Sequence, residues 1–123
     1  MSLVSQRHRH CVTFRAPVAR LDLEDFLNRF PVVEAAGSAF ELGHQHGCQA
    51  RDLIERYLRL IEKSTGRDRS MLAGGAMAFV PRIEALSPAY LEEVRGLAEG
   101  ADISFEEAMI CQVRGAAANE ASD

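Results

Sequence analysis

Glycines inside helix-forming text constrain the fold of this chain more than any other feature. Gly43, Gly47 and Gly96 lie in stretches that otherwise have the composition and spacing of α-helices. Glycine in a helix interior costs about 1 kcal/mol relative to alanine. Because glycine has no side chain, it lets another backbone come unusually close. We therefore expect another segment to pack against the backbone at each of these three positions.

The first two predicted helices follow from apolar spacing and from capping residues. Apolar side chains at positions 23, 26, 27 and 30 have the spacing of one helical face, and Pro31 ends that stretch. Ser38 and Glu41 form a capping box, in which each side chain accepts from a backbone N–H of the first turn. The helix that they open runs to about Gly66, a residue suited to a left-handed C-terminal cap.

Three further helical stretches are predicted downstream. The first spans residues 71–86, with Pro81 either kinking it or starting a new turn. Ser87 and the proline after it open the next helix, which should end at Gly100 and bury four residues, Tyr90, Leu91, Val94 and Leu97. Ser104 and Glu107 form a second capping box, which opens a last helix over residues 105–113. Residues 11–15 and 32–37 are predicted to be short strands, and the tail after Arg114 has no large apolar anchor.

Composition and charge narrow the classes of protein that this chain can be. The 123 residues are 47% hydrophobic, carry a net charge of −4 and contain three cysteines. That charge argues against nucleic-acid binding. No apolar run approaches the roughly 20 residues that span a bilayer, so no membrane association is expected. An odd cysteine count without a close pair argues against a disulfide framework and favours a reducing compartment, which predicts a cytoplasmic location.

The histidines near the first glycines invite a metal interpretation, but their spacing argues against it. A zinc site needs three or four ligands in tetrahedral geometry. On one helix His44 and His46 lie about 200° apart and cannot hold one ion together. No second ligand cluster is evident, so we expect no metal and interpret these histidines as surface or packed residues.

Other polar residues also have a simpler structural interpretation. Cys48 or Cys111 would need a base and an orienting group to act as a nucleophile, and a buried cysteine usually behaves as a small hydrophobe. Arg95 and Arg114 each follow an apolar residue and precede a glycine. A guanidinium there could brace a neighbouring loop, although a surface ion pair is the simpler expectation. The residues alone assemble no credible catalytic site in this chain.

Three segments, in order and at matching spacing, resemble one family. Residues 37–47 read G-S-A-F-E-L-G-H-Q-H-G, residues 90–100 read Y-L-E-E-V-R-G-L-A-E-G, and residues 103–114 run from I-S-F-E-E to Q-V-R. Together they resemble the acyl-coenzyme A:6-aminopenicillanic acid acyltransferase family of N-terminal nucleophile (Ntn) hydrolases. The motif positions are Gly37, Glu41, Gly43, His46, Gly47 and Gly96. Gln112 departs from the asparagine that the family usually has.

The resemblance implies an α+β fold, the four-layer αββα sandwich. Residues 1–30 would be an arm with a short helix. Residues 31–123 would be the α-subunit portion, supplying mainly helices and one or two strands. A separate β chain from the same precursor would complete the domain.

The resemblance also implies the chemistry. The precursor would cut itself before a cysteine, which becomes the nucleophile at the start of the β chain, with its own α-amino group as base. The match ends where that nucleophile is expected, so Asp123, or a residue within one or two of it, is predicted to lie on the acyl side of the cut. The substrate would be a small amide or thioester, as in penicillin acyltransferase-like enzymes, with no cofactor. No catalytic residue would lie in this chain, and Arg95 and Arg114 would at most brace the site.

Two alternatives remain open from the sequence. The chain could be a non-catalytic helical protein-interaction module. It could also be an inactive homologue of the family in which no cleavage occurs.

Overall fold

The computed structural model describes residues 31–114 and 116–120, and helices are the only regular secondary structure among them. Five helices are α1 (Ala39–Thr65), α2 (Arg69–Met77), α3 (Val80–Leu86), α4 (Pro88–Ala101) and α5 (Phe105–Val113), and a short segment, α6, spans Ala116–Glu120. The predicted strand at 11–15, the predicted helix at 21–30 and the predicted cut at Asp123 lie outside the described residues. No helix in this part of the chain has the length and apolar character needed to cross a bilayer.

The predicted capping boxes are confirmed at both sites. Ser38 Oγ accepts from the Glu41 N–H (3.2 Å) while the Glu41 carboxylate accepts from the Ser38 N–H (2.8 Å). Ser104 and Glu107 repeat the arrangement at the start of α5. Gly66 caps α1 in the left-handed conformation. Each of these helix ends is formed by contacts between residues no more than four positions apart, so the sequence alone was enough to predict them.

Pro81 starts a new helix instead of kinking a long one. It lies in the first turn of α3, where a missing N–H costs nothing. Ser87 then caps α4, as predicted, by accepting from the Tyr90 N–H. Between α1 and α4 the chain therefore forms two short helices, and together they return it towards the N-terminal end of α1.

Helices α1 and α4 pack along each other and run in the same direction. Gly43 faces Glu93 and Leu97, and Gly47 faces the chain from Leu97 to Ala101. Helices α2 and α5 close one side of this pair, and α6 lies against α2. The buried core runs through all of these elements except α3: Ala50, Ile54, Leu58, Ile61, Leu72, Ala76, Leu91, Val94, Leu97, Ala98, Ala101, Ala108, Met109, Ile110 and Ala117.

Several expectations from the sequence are wrong. Tyr90 is 39% exposed, not buried. Helix α4 ends one residue after Gly100, and Asp102 takes the left-handed cap with φ 60°. The tail after Arg114 has an anchor, because Ala117 is fully buried against Gly75. Gly75 lets the backbone of α6 approach closely enough for so small a side chain to hold it.

The predicted strand at 32–37 is extended but is not paired with another strand. Its residues are exposed, and the described residues contain no β-strand. Backbone groups of this segment bond to glutamine side chains of α1 instead of a neighbouring strand. A strand needs a second strand, and none lies beside this one in the described part of the chain.

Candidate functional site

The two helices that carry the glycines pack backbone against backbone. A Cβ atom added to Gly43 would overlap the carbonyl oxygen of Glu93, and one added to Gly47 would overlap that of Leu97. From the other helix, a Cβ on Gly96 would overlap the carbonyl oxygen of Phe40. The predicted close approach at Gly43, Gly47 and Gly96 is confirmed, because no other residue fits there without moving a helix.

Gly100 belongs to the same interface and was missed. A Cβ atom added there would overlap the carbonyl oxygen of His44. The sequence by itself predicts only a helix end at Gly100. Its spacing of four from Gly96, the same as between Gly43 and Gly47, was the available signal, because residues four apart lie on one helix face.

Gly37 and Glu41 define how the chain enters α1. Gly37 has φ 129°, a conformation that residues with a side chain rarely adopt. The hydrogen bonds from Ser38 lower the pKa of Glu41, first through the backbone and then through the side chain. A charged carboxylate is also favourable at a helix N-terminus. These two motif residues therefore have a structural role that the local geometry accounts for.

A small cleft of about 120 Å³ opens beside the glycine interface. Its lining comes from all three segments of the resemblance: Gly43, His46, Tyr90, Glu93, Val94, Leu97 and Gln112. The Tyr90 hydroxyl donates to Gln112 Oε1 at 2.5 Å and ties α4 to α5. This cleft is well below the roughly 300–1,000 Å³ of ordinary small-molecule sites, so it could form only part of a binding pocket.

The two histidines face different surroundings. His46 is exposed at the cleft, whereas His44 is stacked with Phe40 and has Nε2 4.0 Å from Glu99 Oε1. Within residues 31–114 and 116–120, no three His, Cys, Asp or Glu side chains come together in a way that could hold a metal.

The two cysteines of this region are in different chemical states. Cys111 is a partly buried free thiol, and burial raises its pKa to about 11. At neutral pH it is therefore protonated and a poor nucleophile. Cys48 takes part in a disulfide, contrary to our expectation from the cysteine count. An odd number of cysteines argues against complete pairing but not against a single bond.

The two arginines proposed as bracing residues differ in their contacts. Arg95 pairs with Glu92 one turn earlier, and its guanidinium lies 5.2 Å from the centre of the Phe105 ring. It therefore joins α4 to the start of α5, by a surface ion pair and a cation–π contact. Arg114 is exposed at the end of α5 with φ 52° and ψ −128°, a conformation that costs non-glycine residues on the order of 1–3 kcal/mol.

A third arginine, which we did not single out from the sequence, organises an ionic cluster. Arg69 contacts Glu55 at 3.0 Å, Glu62 at 3.2 Å and Glu107 at 3.2 Å. Its hydrogen bond is the largest cause of the lowered pKa of Glu55, and Glu55 in turn raises the pKa of Arg69. Through these contacts α2 is joined to α1 and α5.

Comparison with known proteins adds no further assignment. No family model, no curated protein and no solved structure matches this sequence. Cys48 Sγ lies 3.8 Å from His44 Nδ1, and His44 Nε2 lies 4.0 Å from Glu99 Oε1, so a sulfur, an imidazole and a carboxylate are adjacent; because Cys48 takes part in a disulfide, its sulfur is not a free thiol nucleophile. What the geometry does show is three sequence segments meeting at one close-packed junction.

Proposed function

We propose that this chain is the α subunit of a self-processing Ntn hydrolase that transfers or hydrolyses acyl groups on small amides or thioesters. One observation carries the proposal: the glycines of the first two resembling segments lie against each other's backbones. Each segment explains why the other has glycine where it does. A side chain at any of these positions would overlap the facing backbone, so the two resembling segments depend on each other for their packing.

The third segment supports the same proposal. Arg114, at its end, has φ 52°, a backbone conformation that a residue with a side chain rarely adopts. Strained residues concentrate at functional sites, where surrounding structure holds them in place. Gln112 contacts Tyr90 of the second segment, so this departure from the family pattern still links two of the segments.

The proposed chemistry takes place at the junction with a β chain. In self-cleavage, the thiol of a cysteine following Asp123, or a residue close to it, attacks the preceding carbonyl carbon. This attack breaks the peptide bond, forms a thioester to the cysteine sulfur and leaves the cysteine nitrogen, with the proton from the thiol, as a free α-amino group. Water then hydrolyses the thioester, which gives the α chain its carboxylate and restores the thiol. That amine then accepts the thiol proton during turnover, while the sulfur carries the substrate's acyl group to water or an amine. The αββα sandwich, with this chain supplying helices to it, is part of the same proposal.

The test is the intact mass of the protein expressed from its complete reading frame. Two co-purifying fragments, the second starting with cysteine, are expected. Replacing that cysteine by alanine should give one uncleaved, inactive precursor. Cys111→Ala is the matched control, because it removes a thiol that burial keeps protonated, and it should leave cleavage and turnover intact.

Two results would contradict the proposal. A single unprocessed species would favour the non-catalytic interaction module or, if a cysteine still follows the cut position, an inactive homologue. Turnover by a folded protein in which the proposed β-chain cysteine is replaced by alanine would place the nucleophile elsewhere.

The cytoplasmic location is a separate part of the proposal. It depends on unpaired cysteines, whereas Cys48 takes part in a disulfide, a bond typical of oxidising compartments, so the cysteines do not support this location.

A further inference from the structure

A sulfur, an imidazole and a carboxylate lie in a row at the junction of α1 and α4. Cys48 Sγ lies 3.8 Å from Nδ1 of His44, one helical turn earlier, and His44 Nε2 lies 4.0 Å from Glu99 Oε1. The two ring nitrogens therefore face different groups, one the sulfur and the other the carboxylate. An imidazole beside a cysteine can take up the proton of a thiol or stabilise a thiolate. The arrangement is thus suited to a negatively charged sulfur at Cys48.

The sulfur in this row is oxidised, but its bond does not hold the described helices together. Cys48 takes part in a disulfide, and its partner is not Cys111, which is a free thiol. The disulfide therefore joins no two of the described helices. Helices α1 and α4 are instead packed through close backbone contacts at their glycines. Because these contacts do not involve the sulfur, opening the disulfide should leave the packing of α1 on α4 in place.

The surroundings of Cys48 favour its departure from a disulfide. Thiol–disulfide exchange is faster when the leaving sulfur is stabilised as a thiolate. Cys48 is only partly buried and has the His44 ring within reach of its sulfur. At Cys111, by contrast, burial raises the pKa of the thiol to about 11. The same fold therefore holds one sulfur placed to become a thiolate and another that stays protonated at neutral pH.

We propose that Cys48 is a reversible thiol–disulfide exchange site, which small dithiols reduce to a thiolate beside His44. A thiolate of the dithiol attacks the sulfur bonded to Cys48, the S–S bond breaks, and Cys48 leaves with the electron pair. The second thiol of the reagent then closes the mixed disulfide into a cyclic disulfide and releases the other protein sulfur. The dithiol is oxidised by two electrons, the protein disulfide is reduced, and the two protons pass to the released sulfur and to His44. This site does not depend on the proposed β chain or on its chemistry.

The first test is a redox titration of the complete, folded protein. Mixtures of reduced and oxidised dithiothreitol set the reduced fraction, iodoacetamide traps free thiols, and peptide mass spectrometry reads the label at Cys48. The label should rise with the proportion of reduced reagent, should reach the same value from oxidised or reduced protein, and should leave the far-UV circular dichroism unchanged. Cys111 should label much more slowly under the same conditions. Labelling of Cys48 only where the protein unfolds would show a structural disulfide and overturn the inference.

The second test measures how fast iodoacetamide alkylates reduced Cys48 at about pH 7. His44→Gln should slow this reaction about fivefold, because the thiolate loses its imidazole partner. His46→Gln is the matched control, since His46 lies two positions further along the same helix and faces the cleft, so the rate should not change. Equal rates in the wild type and His44→Gln would overturn the inference.

A pH profile separates thiolate stabilisation from packing. The ionisable groups near the sulfur are His44, Arg51 and Asp52 on α1 and Glu99 on α4. At about pH 10 an ordinary thiol ionises without help, so the rates of the wild type and His44→Gln should converge. A difference that persists at this pH would show that the substitution only disturbs packing, and it would overturn the inference.

Glu99→Gln provides a second variant that leaves the His44 ring in place. His44 is stacked with Phe40, so its replacement also changes packing, whereas the Glu99 side chain is 48% exposed. Glu99→Gln should slow alkylation of Cys48 about twofold at about pH 7, because the imidazolium loses the carboxylate beside it. A rate equal to that of the wild type would contradict the proposed row of three groups.

Discussion

At the scale of single residues, glycine has opposite consequences at different positions of the same fold. Gly43 and Gly96 each lie against a backbone carbonyl of the facing helix, so a methyl group there has no space. Gly74, inside α2, has nothing within 4 Å of the place where a Cβ would be. The intrinsic preference for alanine over glycine is the same at all three positions, so only the surroundings decide the sign of a substitution.

We predict that Gly43→Ala destabilises the protein whereas Gly74→Ala stabilises it. The first gains about 1 kcal/mol of helix propensity but must separate two helices, for a net loss of about 2 kcal/mol or more. The second keeps the gain of up to about 1 kcal/mol. Urea unfolding of the complete protein measures both. If Gly43→Ala matched or exceeded the wild-type midpoint, the backbone contact would not be as close as described.

A second prediction at this scale concerns the thiol of Cys111. Its pKa is raised to about 11, so folding favours the protonated form. The corresponding stability is fully present below the unfolded pKa of about 8.5 and is lost as pH rises through about 11. The free energy of unfolding should therefore fall between about pH 8.5 and pH 11, and in the Cys111→Ala variant it should fall less steeply. An unchanged slope in the variant would exclude Cys111 as the source.

At the scale of elements, a side chain that contacts several helices stabilises more of the fold than one that caps a single helix. Each capping box stabilises the first turn of one helix. Arg69, by contrast, contacts carboxylates on α1 and α5 from the start of α2. The cluster is only partly buried, so breaking it should cost less free energy of unfolding than breaking a fully buried ion pair. Removing the arginine would nevertheless leave three carboxylates near one another without a cation.

We predict that Arg69→Met destabilises the protein by about 2 kcal/mol at neutral pH, because the three carboxylates lose their common partner. The pKa of Glu55 is lowered in the folded protein, so its contribution is present above its ordinary pKa and is lost as pH falls through the folded value. The difference between variant and wild type should therefore shrink below about pH 4.5. Arg59→Met is the control, since Arg59 is exposed and pairs with Glu55 alone. A difference that stays constant down to pH 2 would contradict the ionic explanation.

At the scale of the whole molecule, the described helices bury few large side chains. Five large side chains are almost fully enclosed, and several of the remaining core positions are alanine. Large apolar side chains stay exposed on the same helices, with Leu86 exposed by 86% and Leu60 by 59%. A small core must offset the conformational entropy of the whole chain, so the margin for independent folding is narrow.

We predict that this chain expressed alone is helical but lacks a cooperative thermal transition. Its far-UV circular dichroism should show helix, while its near-UV signal and a sharp melt should be missing, as in a molten globule. The complete protein, with the proposed β chain, should melt cooperatively. A sharp two-state transition of the isolated chain, matched by calorimetry, would show that the described helices suffice for a stable fold.

The helices were predictable from the sequence because their signals are local. Ser38 with Glu41, Ser104 with Glu107, and Ser87 before Pro88 were each readable within four residues, and all three start helices as expected. Burial was predicted less accurately for residues whose contacts are distant along the chain. Tyr90 was expected to be buried from its helical spacing, yet its hydroxyl turns outward to Gln112, 22 residues away.

The candidate site shows the same division. Close approach at Gly43, Gly47 and Gly96 was predictable, because interior glycine is costly in a helix and calls for a compensating contact. Which segments would meet was not readable from periodicity, and neither was the role of Gly100. The Arg69 cluster was missed because its three carboxylates come from positions 7, 14 and 38 residues away along the chain.

By itself, then, the sequence determined where helices begin, which positions exclude a side chain, and a set of motifs whose resemblance suggests an Ntn hydrolase. Only the tertiary structure decided that α1 and α4 run in the same direction with their glycines against each other's backbones, and that residues 32–36 bond to glutamines instead of to a strand. The physical reason is the separation along the chain over which each kind of interaction acts. Caps and helix propensity act within one or two turns, whereas backbone approach, ion pairing and strand pairing depend on groups that only folding brings together.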